Sequence, residues 1–207
     1  MSEQYFTANP TSDARPAPCT FSYRGQTLRC MTDAGVFSRG ELDYGTRALL
    51  EALPAEIAGR VLDLGCGWGA VGVAVGKCWP DAEVVMSDVN ARALALAQKN
   101  AAGNGVAAVC IKSDGFEKVP GDFDLIVTNP PIRAGKEVIY RLFGEGAKRL
   151  RPDGEMWLVI RKQQGAASAM RYLETLFEHV TAADKSGGFW TLRCARPRHA
   201  QETGSRA

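Results

Sequence analysis

Val61-Leu62-Asp63-Leu64-Gly65-Cys66-Gly67-Trp68-Gly69-Ala70-Val71-Gly72 is the stretch that decides the fold of this chain. It opens apolar, as a strand buried in a sheet does. It then packs Gly65, Gly67 and Gly69 into five residues that cannot belong to that strand's interior. Small apolar residues from Ala70 to Val75 follow, suited to a helix pressed against a sheet. Strand, glycine turn and helix let a backbone approach a nucleotide closely, because glycine has no Cβ and a helix N-terminus offers free N–H groups. The spacing Gly65-x-Gly67-x-x-Ala70 satisfies the loose dinucleotide fingerprint, and Asp63 ahead of the glycines satisfies D-x-G-x-G equally well. A phosphate-binding P-loop is excluded, since only three residues separate Gly72 from Gly76 before Lys77.

Working outward, strands and helices alternate from Arg60 onward, the pattern of a doubly wound α/β sheet, mostly parallel with an antiparallel closing strand. Strands are expected over 83–87, 106–112, 123–128 and 155–160, and helices over 90–102, 136–150 and 166–177. Asn90 is a candidate N-cap and Gly103-Asn104-Gly105 a stop. Leu150 reads as the last inward residue of its helix, with Arg151-Pro152-Asp153-Gly154 as a turn. The segments 179–183 and 189–194 form a closing pair around Lys185-Ser186-Gly187-Gly188. Upstream, 19–23 and 27–30 flank Arg24-Gly25-Gln26 as a hairpin, and a loop dense in glycine and hydroxyls (35–46) leads into a short helix near 46–53. Phe37 and Leu42 are apolar within that polar loop, which suggests that it folds over something. The organisation expected is a flexible lead (1–19), one domain (20–195, with hairpin, loop and helix over 20–58 and the core over 59–195) and a polar tail (196–207).

The 207 residues include 45% hydrophobic and 23% charged side chains, ordinary for a soluble domain. A net charge of +2 announces no polyanion partner, so any basic footprint is local. Six scattered cysteines without C-x-x-C, and two histidines, read as a reduced chain with no metal site. Neither a signal peptide nor a membrane span is evident, and the expected location is cytoplasmic.

Asp88 stands about 20 residues beyond the glycines, at the end of the next strand, where an acid can accept from both hydroxyls of a ribose. It can equally cap the following helix. Ser113-Asp114-Gly115 after the third strand offers a carboxylate to an exocyclic amine, or a plain turn. The most informative segment is Asp124-Leu125-Ile126-Val127-Thr128-Asn129-Pro130-Pro131-Ile132-Arg133. A buried strand runs into Asn-Pro-Pro at its carboxyl end, where open α/β sheets bind ligands. Two prolines fix φ and remove two N–H groups, leaving carbonyls free, and Asn129 adds a side-chain carbonyl. Such acceptors suit a planar amine. The same tripeptide can also end a strand as a turn.

The (N/D)PP(Y/F/W) box at this place resembles the amino methyltransferases. Val36-Phe37-Ser38 with Leu42-Asp43-Tyr44-Gly45-Thr46, the turn at 63–69, Asn129-Pro130-Pro131 and Arg133-Ala134-Gly135-Lys136 resemble the methyltransferase small family, whose best-known members methylate guanine N2 in 16S ribosomal RNA. Lys162-Gln163-Gln164-Gly165-Ala166 resembles its short, single-domain members. The resemblance spans about residues 20 to 194 and implies a Rossmann-like class I fold with S-adenosyl-L-methionine as cofactor and S-adenosyl-L-homocysteine as product. It further implies Asp63, Gly65, Cys66 and Gly67 at the methionine end, Asp88 and Val89 at the ribose, Asp114 and Gly115 at the adenine, and Asp43 and Thr46 closing over the methionine portion. Asn129, Pro130 and Pro131 would carry catalysis, with Asn129 also near the cofactor.

Ile132 departs from the pattern, which places an aromatic ring there to stack on the base. Phe37 is the substitute that the sequence offers. Ile132, Arg133 and Lys136 are expected to meet the substrate, and Arg133, Lys136, Arg161 and Lys162 form a basic rim at strand carboxyl ends. Lys148, Arg149 and Arg151 read instead as a solvated helix end. The partner implied is ribosomal RNA or the small ribosomal subunit. Two other readings stand beside it: methylation of a different amine (DNA adenine, protein glutamine), and a cofactor-binding RNA or assembly scaffold without catalysis. A nicotinamide dehydrogenase gives Asn-Pro-Pro no role.

Overall fold

Two amphipathic strands open the fold. β1 (Ala17–Tyr23) and β2 (Gln26–Thr32) pair antiparallel around a two-residue turn at Arg24-Gly25, both with positive φ as a type I′ hairpin requires. In the computed structural model the described residues are 12–198, so residues 1–11 of the expected lead and 199–207 of the expected tail lie outside them. α1 (Tyr44–Ala52) follows, and the alternation then runs β3 (Arg60–Leu64), α2 (Ala70–Cys78), β4 (Glu83–Asp88), α3 (Ala91–Gly103), β5 (Ala108–Lys112), β6 (Phe123–Thr128) and α4 (Lys136–Lys148). β7 (Leu150–Arg161), α5 (Ala166–Leu176), β8 (Phe177–Asp184) and β9 (Phe189–Pro197) are the remaining elements of the described residues.

Among the described residues the larger sheet has seven strands, in the order β5-β4-β3-β6-β7-β9-β8. β3 through β7 pair parallel, and β9 runs antiparallel to both of its neighbours. Side chains alternate between the faces, as strand pleating demands. Val61, Leu125, Val127, Trp157 and Val159 enter the core beneath the hairpin and α2. Leu62, Leu64, Ile126, Met156, Leu158 and Ile160 enter the opposite core with α4 and α5. Burial on both faces explains why the central strands are apolar runs.

The chain leaves β3 toward β4 and β5, then returns to place β6 on the other side of β3. This is the topological switch at which open α/β sheets form a crevice. Asp63 is level with Val127, and Thr128 Oγ1 donates to the Leu64 carbonyl at 2.8 Å. The glycine turn and Asn-Pro-Pro therefore emerge side by side.

The hairpin is fastened to α3 by two asparagines one helical turn apart. Asn100 Oδ1 accepts from Met31 N (2.8 Å) while its Nδ2 donates to Met31 O (2.9 Å) and Trp68 O (2.8 Å). Asn104 repeats the pattern on Arg29, at 3.1 and 2.9 Å. Each amide presents a donor and an acceptor, as a neighbouring strand would, and so satisfies the open edge of β2.

Two expectations are corrected at the start of β7. Leu150 belongs to this strand, paired with Phe123, and not to the preceding helix. Arg151-Pro152-Asp153-Gly154 is not a turn between elements but a bulge within β7, since pairing resumes at Leu125–Glu155. A bulge tolerates Pro152 because that position owes no ladder N–H. At the helix end itself, Arg149 is the C-cap of α4 and Lys148 and Arg151 are exposed, but both arginines have partners. Arg149 donates to the carbonyls of Val119 and Gly121, and Arg151 pairs with Asp124.

Candidate active site

At the carboxyl ends of β3, β4 and β6 lies a cleft of about 380 Å³. It gathers Phe37, Asp43 and Thr46 from the loop and first turn before and in α1, Asp63 to Gly67 from β3 and its turn, and Asp88 and Val89 from β4. Asp114, Gly115 and Asn129 to Pro131 complete the residues singled out from sequence, and Val138 and Arg141 of α4 form the outer wall.

The turn after β3 consumes its own N–H groups. Gly65 N and Cys66 N donate to Ser87 O (2.8 and 2.9 Å), Gly67 N to Asp88 Oδ2 (2.8 Å) and Gly69 N to Cys66 O (2.9 Å). At the start of α2, Gly72 N is taken by Asp63 Oδ2 at 2.8 Å. Gly72 has no room for a side chain, since a Cβ would sit 2.5 Å from Met86 Sδ. A buried carboxylate thus occupies the helix end where a diphosphate would have to bind, and it favours a cation there. This separates the two glycine patterns that spacing alone leaves open. Burial pushes the Asp63 carboxyl up to about 7, against the pull of the Gly72 N–H. Burial also raises Asp88, offset in part by the backbone N–H groups of Asn90, Gly67 and Val89. Asp88 does not cap α3. That task falls to Asn90, whose Oδ1 accepts from Arg92 N and Ala93 N at 3.0 and 3.1 Å.

Asn129 projects from the end of β6. Its Nδ2 donates to Thr46 Oγ1 at 3.0 Å and Asp43 Oδ2 at 3.3 Å. The Pro131 carbonyl accepts from Ala134 N at 2.8 Å, closing a 3-10 turn (Ile132–Ala134), whereas no donor among the described residues reaches the Pro130 carbonyl. That turn carries Ile132, Arg133 and Lys136 away from the cleft lining. Ile132 and Lys136 border a separate depression of about 110 Å³, and Arg133 is exposed. Lys136 Nζ lies 5.0 Å from the Tyr140 ring centre and the Arg161 guanidinium 5.1 Å from that of Phe189.

The family model of the methyltransferase small domain matches residues 27–193, most of the chain and both halves of this cleft. The chain belongs to the methyltransferase small domain family. It is an S-adenosylmethionine-dependent methyltransferase, and its cofactor is S-adenosyl-L-methionine. It is 38% identical over 200 residues to the uncharacterised protein YbxB of Bacillus subtilis, covering 95% of this chain and all of that one. It is 44% identical over 136 residues to ribosomal RNA small subunit methyltransferase C of Pasteurella multocida, covering 64% of this chain and 42% of that protein. Among solved structures, the 16S rRNA N2 G1207 methyltransferase of T. thermophilus in complex with AdoMet and guanosine superposes with a TM-score of 0.80 at 28% identity, over 90% of this chain and 52% of that one. The chain therefore spans about half the length of these named methyltransferases.

The methyltransferase site fits this cofactor on its own geometry. Gly65 and Gly67 have φ of 71° and 55°, and a Cβ on either would project into open space, so the turn offers a bare backbone cradle. Ser87 Oγ is buried at the cleft with no partner among the described residues. On the neighbouring strand Ser87 is level with Leu64, while Asp63 is level with Met86 and turned toward the start of α2. Ser87 was legible as the residue before Asp88, yet motif reading passes over it. Arg141, which holds Asp114 Oδ1 at 2.7 Å, and Val138 carry no sequence signal, because they sit in the middle of an ordinary amphipathic helix. No cluster of three metal-binding side chains occurs among the described residues, and no described helix is long and apolar enough to cross a membrane.

Proposed function

We propose that this methyltransferase methylates the exocyclic N2 amine of a guanine in 16S ribosomal RNA, in the cytoplasm, on naked RNA or the small ribosomal subunit. The observation that carries the amine reading is the pair of acceptors to which no described residue donates, Asn129 Oδ1 and the Pro130 carbonyl, beside the glycine cradle. The names of the rRNA methyltransferase relatives support the choice of guanine and RNA.

When bound, the cofactor supplies a methyl group made electrophilic by its sulfonium. The protein's task is alignment. Asn129 Oδ1 and Pro130 O would accept the two amine hydrogens, aim the nitrogen lone pair and stabilise the positive charge that grows on nitrogen until the surplus proton passes to bulk water. Asp63 and the Gly65–Gly67 cradle hold the methionine end, Asp88 and Val89 the ribose, and Asp114 with Gly115 the adenine. Phe37, in the cleft wall, supplies the stacking surface that Ile132 does not. The base must be unpaired or flipped outward to enter, and Arg133, Lys136, Arg161 and Lys162 meet the backbone around it.

Incubation with methyl-labelled cofactor and total RNA, DNA and protein, followed by digestion, tests the reading. N2-methylguanosine in 16S RNA is expected. Label in adenine or glutamine would move the assignment to another amine, and binding without transfer would return the protein to a scaffold.

A further inference from the structure

We infer that Thr46 and Asp43 are positioning residues for the amine acceptor Asn129, fixing which way its amide points. This rests on the reading of Asn129 as the group that receives the amine.

The chemistry of the partners decides the amide's orientation. A carboxylate accepts and cannot donate, so the side of Asn129 facing Asp43 Oδ2 must be the NH₂ group. Thr46 Oγ1 lies 3.0 Å from the same Nδ2 and has its own donor direction toward Asp43 Oδ2, at 3.4 Å. The two amide hydrogens thus have two fixed acceptors, and Oδ1 is left for the cleft. Without them the amide could rotate by half a turn and present a donor to the substrate amine, a donor-to-donor clash.

Position explains how the device is held. Asp43 is the N-cap of α1 and accepts from Thr46 N at 3.0 Å, so both residues are fixed by the first turn of a helix. Thr46 is buried. The loop ahead of α1 carries Phe37 at the cleft wall, so one segment both lines the cleft and sets the polarity of the acceptor across from it.

Thr46→Val isolates the effect, because it keeps the shape and the backbone cap and deletes only the hydroxyl. In methyl transfer, kcat should fall about tenfold, part of the loss expected for a misplaced transition-state hydrogen bond. Because the Thr46 hydroxyl is engaged with Asn129 and Asp43, the KM and the calorimetric Kd for S-adenosylmethionine should stay within about twofold, against the place over the methionine portion that the resemblance implies, and Thr46→Ser should restore kcat. In an Asn129→Ala background, Thr46→Val should cost nothing further. A readout independent of turnover is the Asn129 side-chain NH₂ signal in NMR. It should be protected from solvent exchange in the wild type and in Thr46→Ser, and lose that protection in Thr46→Val. Wild-type protein that transfers no methyl would count against the amine reading alone, and the NMR comparison would still decide the positioning role. Unchanged protection, a loss of cofactor affinity with kcat intact, or an equal cost in the Asn129→Ala background would overturn the inference.

Discussion

The turns after β3 and β6 leave neighbouring parallel strands at the same level of the sheet, yet they are built with opposite chemistry. The first uses glycines with positive φ, spends its N–H groups on Ser87, Asp88 and Cys66, and presents bare backbone with two raised carboxyls behind it. The second uses prolines, which have no N–H to spend, and presents the Pro130 carbonyl, the Pro131 carbonyl being taken by Ala134 N. One turn is shaped by what glycine lacks, the side chain, and the other by what proline lacks, the donor. The lesson is that a sheet edge at a topological switch sets only where ligands meet, while Gly or Pro in each turn sets which groups they meet.

Substitutions that make the turns alike should break this division. Gly67→Val fills the cradle and strains a backbone at φ 55°. Calorimetry should show S-adenosylmethionine affinity falling by more than about a hundredfold, while unfolding stability drops by only about 1–2 kcal/mol. A variant that still bound the cofactor normally would mean that the turn is a packing device.

Asp63→Asn is the next largest, at about tenfold in cofactor affinity, and it sharpens the comparison through pH. The folded carboxyl sits at about 7 and its ordinary value is 3.8. Between those values the folded protein binds more protons at this site than the unfolded chain does, so ligand-free stability falls as pH rises through the window and levels off above about 7. A cationic ligand prefers the carboxylate, so cofactor affinity should rise over the same interval. Urea titrations and calorimetry from pH 5 to 8 check both slopes, and Asp63→Asn should flatten both.

Ser87→Ala separates folding from binding. Its hydroxyl is buried with no partner among the described residues, so removing it should leave apo stability unchanged or raise it by up to about 1 kcal/mol, while cofactor affinity falls a few-fold. Loss of apo stability would show that the hydroxyl already has a partner. The smallest effect is expected at the rim. Lys136→Ala should weaken RNA binding about two- to threefold and reduce its salt slope by about one, with cofactor affinity untouched.

Much of this was legible in the sequence because strands buried on both faces and their punctuation are local. The 123–128 strand, the Asn90 cap and the hairpin turn all follow from residues within a few positions of one another. The bulge at Arg151–Gly154 was not, because a proline and a glycine read as a turn unless the pairing of Phe123 with Leu150 is known. The strand-like use of Asn100 and Asn104 was hidden for a similar reason. Two amides on a helix look like solvent-facing polarity until β2 is laid beside them. In the site, the carboxylates and Asn-Pro-Pro announce themselves by type and spacing. Arg141 does not, and the hold of Thr46 on Asn129 spans more than eighty positions of chain.

The most direct test of the division between the two turns is Asn129→Ala, read by calorimetry with S-adenosylmethionine and by methyl transfer to 16S RNA. Two unlike turns predict a loss of at least about a hundredfold in kcat with cofactor affinity within about threefold of wild type. A parallel loss of both, or a variant that still transfers methyl at the wild-type rate, would contradict it.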